Sequence, residues 1–472
     1  MTRISELKLK IIFFLIFSLG ILGLPKGSEA DTHTAATCTA ADVNSAISAA
    51  SNGDTVAVPA GVCTWETNNS VTVNKEIILQ GGVAGNTVIT CAGGDFTPVM
   101  NVIAPNVTIT GFEFTNAGNS NQVYPVNFAA TAFNFRVTNN KSSGNLANAY
   151  HIVRSYGVID NNVFAHTTNA EVIQVQGPCD AWQQDAVYGT NDGVFIENNL
   201  FTEQGYMTCN AASQCIFRYN TITGGFKYDA HGVASSTNDG CPSGINHDRS
   251  ARSSEVYNNL WDRTGKGGYF SWINIRGGTG RAFNNDIIST VNQDIWAGTD
   301  EYCAMWTNAA NCIAKNNPPD PGCCCTWPCF DQPGMGKDPS PYAKVGAAEP
   351  FHFWNNRRSI DGGLTWYQLT PAEAPSQFPH FGQNQVVNCA VAGQCGTSFL
   401  ATDIVKLNRD YYVYGVTRPS VMDSYATNLH VCPHPLTGLT GTCGPAVAGR
   451  CGYNISSNDT TPPAAPRRLV VN

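Results

Sequence analysis

The chain has 472 residues, of which 13% are charged, and its formal net charge at neutral pH is −8. This acidic balance, without any block of Lys and Arg, argues against nucleic acid as a partner. The low charge, together with 45 glycines and many Asn, Ser and Thr residues, is typical of the polar surface of a β-solenoid.

Residues 1–30 are predicted to be a secretory signal peptide. Two lysines precede an apolar run from Ile11 to Leu24, and Ser28 and Ala30 supply the small residues that a signal peptidase needs. The run is short for a membrane span and has no stop-transfer flank, so we expect no membrane insertion after signal removal. The sequence therefore predicts a secreted protein, extracellular or at the cell surface.

Residues 39–50 predict a short amphipathic helix ahead of the strand Thr55–Val58. The apolar residues of this helix share one face: Val43, Ala46, Ile47 and Ala50. A solenoid must cover its first open coil, because an exposed sheet edge pairs with other chains. We therefore expect the helix to be the N-terminal cap.

An Asn-Asn pair then recurs inside a constant frame of apolar residues. The copies carry the pair at Asn139–Asn140, Asn161–Asn162, Asn198–Asn199, Asn258–Asn259, Asn284–Asn285 and Asn355–Asn356, and one copy has Tyr219–Asn220. Most spacings fit one or two turns of a solenoid with coils of roughly 20 to 26 residues. The frame predicts strand, short bend and strand.

Asn suits this bend for two reasons. It tolerates the left-handed backbone conformation, and its amide can hydrogen-bond to a copy of itself one coil away. A stack of such amides would satisfy buried polar groups by repetition alone. The alternative, that Asn only marks surface turns, does not explain the apolar frame on both sides.

A second strand position also recurs in the coils, and period two separates its inward from its outward residues. Aligning the strand ends predicts one outward row of Gln176, His231 and Arg276. A neighbouring outward row contains these three residues: Gln174, Asp229 and Asn274. Lys227 and Trp272 are predicted one step further along, and Arg154 ends an earlier strand of the same series.

The repeat weakens in the C-terminal part of the chain. Residues of about 291–350 predict a Cys- and Pro-rich insertion, the solenoid domain is expected to span 31–455, and 456–472 read as a Pro-rich disordered tail. All 18 cysteines follow the signal, so disulfides are favoured in an exported protein. A metal site in the cluster Cys323–Cys325 is the alternative, but no zinc-type Cys-His spacing accompanies it.

The opening segments Asp42–Ile47 and Gly53–Gly61, together with the Asn-Asn frames, resemble secreted proteins of the pectin lyase-like superfamily. The resemblance covers roughly residues 38 to 450. It implies an all-β, right-handed parallel β-helix with the short capping helix and the Cys-rich insertion. The superfamily contains lyases, hydrolases, epimerases and non-enzymatic surface proteins, so the fold alone does not give the function.

Family motifs match this chain only in part. Thr190–Gly193 and His231–Gly232 loosely resemble polygalacturonase segments, but Thr208–Asn210 stands where an Asp pair is expected. Inverting hydrolysis needs two carboxylates, and only Asp229 is well placed, so a hydrolase is disfavoured. The calcium-binding Asp cluster of pectate lyases is not evident either, which leaves Ca²⁺ as a possible cofactor and no other cofactor indicated.

The outward residues predict a polysaccharide lyase-like site. Asp229, His231, Arg276 and Lys227 are the candidate catalytic residues, because a lyase needs a base and a group that neutralises the uronate. The candidate substrate-binding residues are Gln174, Gln176, Asn274, Trp272 and Arg154. The predicted partner is an acidic polysaccharide, bound and cleaved by β-elimination. The alternatives are a non-catalytic surface or adhesion module, and an Arg276–Asp229 pair that only decorates the surface.

Overall fold

The structure is a computed structural model. It describes residues 30–82, 85–94, 97–116, 123–146, 148–167, 171–178, 180–232, 250–264, 271–289, 294–297, 333–338, 347–368, 406–422 and 429–438. The predicted signal peptide up to residue 29, most of the predicted insertion, the cluster Cys323–Cys325 and the predicted tail lie outside the described residues.

Three long sheets dominate the described chain, and their strands are numbered β1 to β32 in chain order. Sheet A contains twelve strands: β1 (Thr32–Thr34), β2 (Thr55–Ala57), β5 (Ile78–Gln80), β8 (Thr108–Thr110), β11 (Phe135–Thr138), β14 (Gly157–Asp160), β17 (Val194–Glu197), β20 (Gln214–Arg218), β23 (Ser253–Tyr257), β26 (Thr279–Phe283), β29 (Phe351–Trp354) and β32 (Tyr411–Val413).

The other two sheets complete the coils. Sheet B contains β3 (Gly61–Glu66), β6 (Thr87–Ala92), β9 (Phe112–Asn116), β12 (Lys141–Gly144), β15 (Val163–His166), β18 (Leu200–Phe201), β21 (Thr221–Ile222), β24 (Leu260–Asp262), β27 (Asp286–Ile288), β30 (Arg357–Ser359) and β31 (Tyr367–Gln368). Sheet C contains β4 (Val71–Val73), β7 (Thr97–Val102), β10 (Val123–Phe128), β13 (Tyr150–Val153), β16 (Glu171–Gln176), β19 (Gly205–Asn210), β22 (Phe226–Ala230), β25 (Ser271–Ile275) and β28 (Asp294–Ala297).

Each coil runs through sheet C, then sheet A, then sheet B, so neighbouring strands within a sheet come from successive coils. The described strand pairs are parallel except for β30 with β31. The fold is the right-handed parallel β-helix that the sequence predicts. Strand β28 lies inside the predicted insertion of about 291–350 and still pairs with β25, so the solenoid continues to Ala297.

The interior between the sheets is one continuous apolar core. Inward residues stack coil upon coil, as where the Phe201 ring lies 4.7 Å from that of Phe164 and 4.2 Å from that of Phe226. Such parallel sheets bury one face entirely, which explains why alternate residues along the predicted strands are apolar. No helix among the described residues is long and apolar enough to cross a membrane.

The predicted Asn ladder lies at the corner between sheets A and B. The first residue of each pair adopts the left-handed conformation, with φ between 49° and 57°, and Tyr219 does so in the copy that lacks the first Asn. The second residue of each pair is buried and forms one rung of the ladder: Asn140, Asn162, Asn199, Asn220, Asn259, Asn285 and Asn356. Each rung donates from Nδ2 to the Oδ1 of the next, at 2.8 to 3.2 Å.

Helix α1 (Ala40–Ala49) is the predicted cap, with Val43 and Ile47 buried. The Thr39 side chain accepts from the Asp42 amide at its N-terminus. Asn44 on this helix donates to the Ser70 carbonyl and accepts from the Thr72 amide, both at 3.0 Å. The helix therefore satisfies the backbone of β4, which is the edge strand of sheet C.

The cysteines are partly paired as the sequence predicts. Cys38 bonds to Cys63, and Cys209 bonds to Cys215. Cys91, in contrast, is a buried free thiol. Its register partner in β3 is Trp65, so no second thiol stands opposite it. Burial raises the pKa of the Cys91 thiol.

A C-terminal segment, residues 429–438, crosses the outer face of sheet A, and we call it the strap. Arg136 donates to the strap carbonyl of Thr437 at 2.8 Å, and Arg218 donates to those of His430 and Val431. Two buried ion pairs lie beneath the strap, Arg136 with Asp160 and Arg218 with Glu197. This face of the solenoid is thus covered, whereas the predicted site lies on sheet C.

Candidate functional site

The strand register of sheet C brings the predicted outward rows together. Asp229 lies opposite Asn274 on one side and opposite Thr208 on the other, and Thr208 lies opposite Gln174. The inward neighbours Tyr228 and Ala230 belong to the core. The two-residue alternation inferred from sequence therefore holds here, but one additional strand separates Gln174 from Asp229.

Asp229 is the centre of a buried charge cluster. Its carboxylate accepts from Arg276 through two parallel bonds, Nε to Oδ1 at 3.0 Å and Nη2 to Oδ2 at 2.6 Å. The Lys227 ammonium lies 3.6 Å from Oδ2 and 5.3 Å from the centre of the Tyr206 ring. Burial alone would raise the pKa of Asp229, but the charges of Arg276 and Lys227 hold that pKa below its usual value.

Arg276 departs from the role predicted for it. The sequence predicts that its guanidinium neutralises a substrate uronate. In the structure, two of its nitrogens donate hydrogen bonds to Asp229 instead. The pair is also not the weak surface decoration offered as the alternative, because the side chains are only 9% and 1% exposed. Breaking such a buried pair leaves an uncompensated charge, so Arg276 holds the cluster together.

His231 directly follows Ala230, the last residue of β22, and its side chain is half-buried. Its Nδ1 is 3.0 Å from the Gly232 carbonyl oxygen, which can only accept, so Nδ1 carries the proton and Nε2 is the basic nitrogen. Burial, followed by the positive charge of Arg276, lowers the pKa of His231 to about 4. The imidazole is therefore neutral at physiological pH.

The predicted binding residues take different positions. Gln174 donates to Glu171 at 3.2 Å, and Asn274 accepts from the Ser271 hydroxyl at 2.5 Å. Gln176 is almost fully buried in the row of His231. The Arg154 backbone follows β13 with a φ of 53°, and its amide donates to the Gln176 carbonyl. These four remain candidates for substrate contact.

Trp272 corrects the prediction of a sugar-stacking ring. Its side chain is fully buried in the core, with its ring 5.1 Å from that of Trp261 in a T-shaped contact. The register of β25 shifts between Ser271 and Ile273, so Trp272 and Ile273 both belong to the core despite being consecutive. Alternation fails at such a bulge, and the ring is inaccessible to a ligand.

Strand β19 supplies residues that the sequence analysis missed. Tyr206, Thr208 and Asn210 stand between the rows of β16 and β22, while Met207 and Cys209 face the core. The signal was present, because Tyr206 to Asn210 alternates polar and apolar residues. Thr208–Asn210 also stands at the position of a hydrolase motif, which obscures its strand character in the sequence.

Among the described residues, no group of three His, Cys, Asp or Glu side chains is placed to share a metal ion. The described side chains of the site are two cations, one carboxylate and one neutral imidazole. These groups lie in two adjacent strands, β22 and β25. Together they define a polar, cationic site on the outer face of a parallel β-helix.

Comparison with known proteins adds the following. No protein-family model and no curated protein matches the chain. Among solved structures, a protein of Geobacillus virus E2 has a TM-score of 0.33 and 16% identity over 57% of this chain and 55% of its own. This chain thus spans about half the length of that viral protein.

Two similar solved structures are polysaccharide lyases. An alginate lyase from Paenibacillus sp. str. FPU-7 has a TM-score of 0.32 and 12% identity over 54% of this chain and 95% of its own. A PL6 family polysaccharide lyase from Pseudopedobacter saltans has a TM-score of 0.34 and 13% identity over 90% of this chain and 100% of its own. TM-scores this low carry no inference about shared chemistry, so function has to be inferred from the site itself.

Proposed function

We propose that this protein is secreted, binds an acidic polysaccharide on the outer face of sheet C and cleaves it by β-elimination. One observation carries the proposal: a neutral imidazole, His231, lies beside the cations Lys227 and Arg276 on the same face. The cluster thus combines a base with positive charge for a uronate. The disulfides Cys38–Cys63 and Cys209–Cys215 suit an exported protein.

The proposed reaction assigns separate roles to these groups. Nε2 of His231 accepts the proton next to the uronate carboxylate, the electron pair forms a carbon–carbon double bond, and the glycosidic C–O bond breaks. The leaving oxygen takes up the proton that Nε2 of His231 accepted, which restores the neutral imidazole. Lys227, a point charge on a flexible stem, turns toward the substrate carboxylate and stabilises the negative charge that develops. Arg276 and Asp229 position Lys227 and His231.

The test is an ultraviolet assay of the purified protein with a panel of acidic polysaccharides, because elimination leaves an absorbing double bond. Lys227→Gln and His231→Gln are each expected to lower kcat/KM about 100-fold, as removal of an acid–base or charge-stabilising group does. Arg276→Ala is expected to abolish product as well, but it also leaves Asp229 buried with less compensation.

The matched control is Lys141→Gln on sheet B. Lys141 pairs with Glu113 at 2.8 Å and is 40% exposed. The substitution therefore removes the same charge as Lys227→Gln, but at a position away from the site. We expect it to retain full activity. If the Lys227→Gln and His231→Gln variants each keep the kcat/KM of the wild type, the proposal is contradicted.

The pH profile provides an independent check on the base. Because His231 must be deprotonated to accept a proton, activity is lost as pH falls through its pKa in the free protein. The pKa of about 4 predicts that kcat/KM stays constant from pH 7 to about 5 and falls below that. A profile that already falls near pH 6.5, the ordinary pKa of histidine, would contradict the lowered pKa of His231.

A non-catalytic binding module is the second candidate, and the closed Asp229–Arg276 pair favours it, since two guanidinium nitrogens are already engaged. The same preparations distinguish the two. Retention on an immobilised acidic polysaccharide without any ultraviolet product would establish binding alone. Failure of both binding and cleavage across the panel would refute the proposed function.

A further inference from the structure

Three side chains on the outer side of sheet C hold polar atoms without a hydrogen-bond partner among the described residues. They are His151 Nε2 in β13, Gln176 Oε1 in β16 and Thr208 Oγ1 in β19. The three strands are consecutive in the sheet: His151 and Thr208 lie in one outward row on either side of Gln174, and Gln176 lies in the neighbouring outward row. Because all three atoms are buried, their hydrogen-bonding capacity is unmet at a cost in stability.

The chemical state of His151 follows from its neighbours. Its Nδ1 lies 2.8 Å from Asn127 Oδ1, and the other end of that amide donates to Asn101 Oδ1 at 3.3 Å. An amide oxygen only accepts, so Nδ1 of His151 carries the proton and Nε2 presents a lone pair. Burial lowers the pKa of His151 to about 4, so this lone pair persists at physiological pH. The Tyr124 ring, 4.9 Å away, fixes the imidazole from one side.

The group selects a hydrogen-bond donor. His151 Nε2 and Gln176 Oε1 can only accept, and the Thr208 hydroxyl can do either. A sugar hydroxyl can donate to each of them, on a charged or an uncharged unit, whereas a carboxylate placed against them would leave all three atoms unpaired. The nearby Glu171 carboxylate, which accepts from Gln174 and from the Asn148 amide, adds negative charge that repels a second uronate.

We propose that His151, Gln176 and Thr208 form a hydroxyl subsite that binds an uncharged sugar unit of the same polysaccharide. His151 and Gln174 are half-exposed and form its open side. Three strand spacings, about 14 Å, separate His151 from Asp229 along the sheet. The substrate is then a mixed polymer, with a uronate at the Lys227 cluster and an uncharged unit at the subsite. This inference rests on the proposed function.

The test uses Thr208→Val and Gln176→Met, which keep the side-chain volume and remove an atom that has no partner in the described structure. We measure their affinity for hyaluronan, in which uronate and uncharged sugar alternate, and for alginate, which contains uronates alone. Each variant is expected to bind hyaluronan about tenfold more weakly, as expected for one lost hydrogen bond, with unchanged affinity for alginate. Their thermal midpoints should equal or exceed that of the wild type.

The controls separate this subsite from the proposed function. Thr72→Val makes the same change in the same outward row, five strand spacings from Thr208, and should bind both polymers normally. Lys227→Gln should weaken both polymers. If Thr208→Val and Gln176→Met weaken the binding of both polymers equally, or weaken neither, the subsite is overturned. The effect of Lys227→Gln on binding then still tests the proposed function separately. A wild type that binds neither polymer would overturn both.

Discussion

Asn199→Ala is expected to lower the free energy of unfolding by about 3 to 5 kcal/mol, because it leaves several buried polar groups unpaired at once. Asn199 Oδ1 accepts from both the backbone and the side-chain nitrogen of Asn162, at 2.9 and 3.1 Å. Its Nδ2 donates to the Ile159 carbonyl and to Asn220 Oδ1. Equilibrium unfolding in urea measures the loss.

The control for this rung is its neighbour, Asn198→Gly. Asn198 has a φ of 57°, which glycine adopts readily, and its side chain is half-buried outside the ladder. We expect this variant to stay within about 1 kcal/mol of the wild type. Equal destabilisation by the two variants would show that the outer amide of Asn198, which donates to Asn161, contributes as much as the buried rung.

Arg218→Met is expected to cost a similar 3 to 5 kcal/mol, about what removing one partner of a buried ion pair costs. The side chain is fully buried and donates to Glu197 at 2.7 Å and to the Tyr257 hydroxyl at 2.9 Å. It also donates to two carbonyls of the strap, so its loss should release residues 429–438 from sheet A. Limited proteolysis, combined with urea unfolding, detects both effects.

Two further variants make this result specific. Lys141→Met breaks the exposed pair with Glu113 and should cost less than about 1 kcal/mol. Arg218→Met combined with Glu197→Leu removes the stranded carboxylate and should recover part of the loss. A strap that remains protease-resistant in Arg218→Met would mean that its apolar contacts with Phe195 hold it without the ion pair.

The ladder could be predicted because its cause is local. Each bend needs a left-handed residue and each rung needs an amide, so the requirement repeats in the sequence as Asn-Asn. The strap left no such trace. Its contacts join residues as far apart as Arg136 and Thr437, 301 positions, and its own sequence carries no repeat. Only the folded coils bring these partners together.

The positions of the site residues could be predicted only as far as the register of the strands in sheet C could be read from the sequence. Aligning strand ends placed Asp229, His231 and Arg276 correctly relative to one another. The structure departs from the predicted rows at two places: the bulge at Ser271 turns Trp272 into the core, and β19 stands between β16 and β22. The pairing of Arg276 with Asp229 could not be deduced, because a row gives proximity but not which neighbour a long side chain chooses.

Neighbouring rungs of the ladder are separated by 21, 22, 26, 37, 39 or 71 residues, yet each is one strand spacing from the next. The length of a coil and the rise of the solenoid are therefore independent. Evolution can lengthen the connections between strands without disturbing the packed interior. In such a scaffold the connections can change in length and sequence while the amide stack keeps the axial spacing of the strands in sheet C fixed.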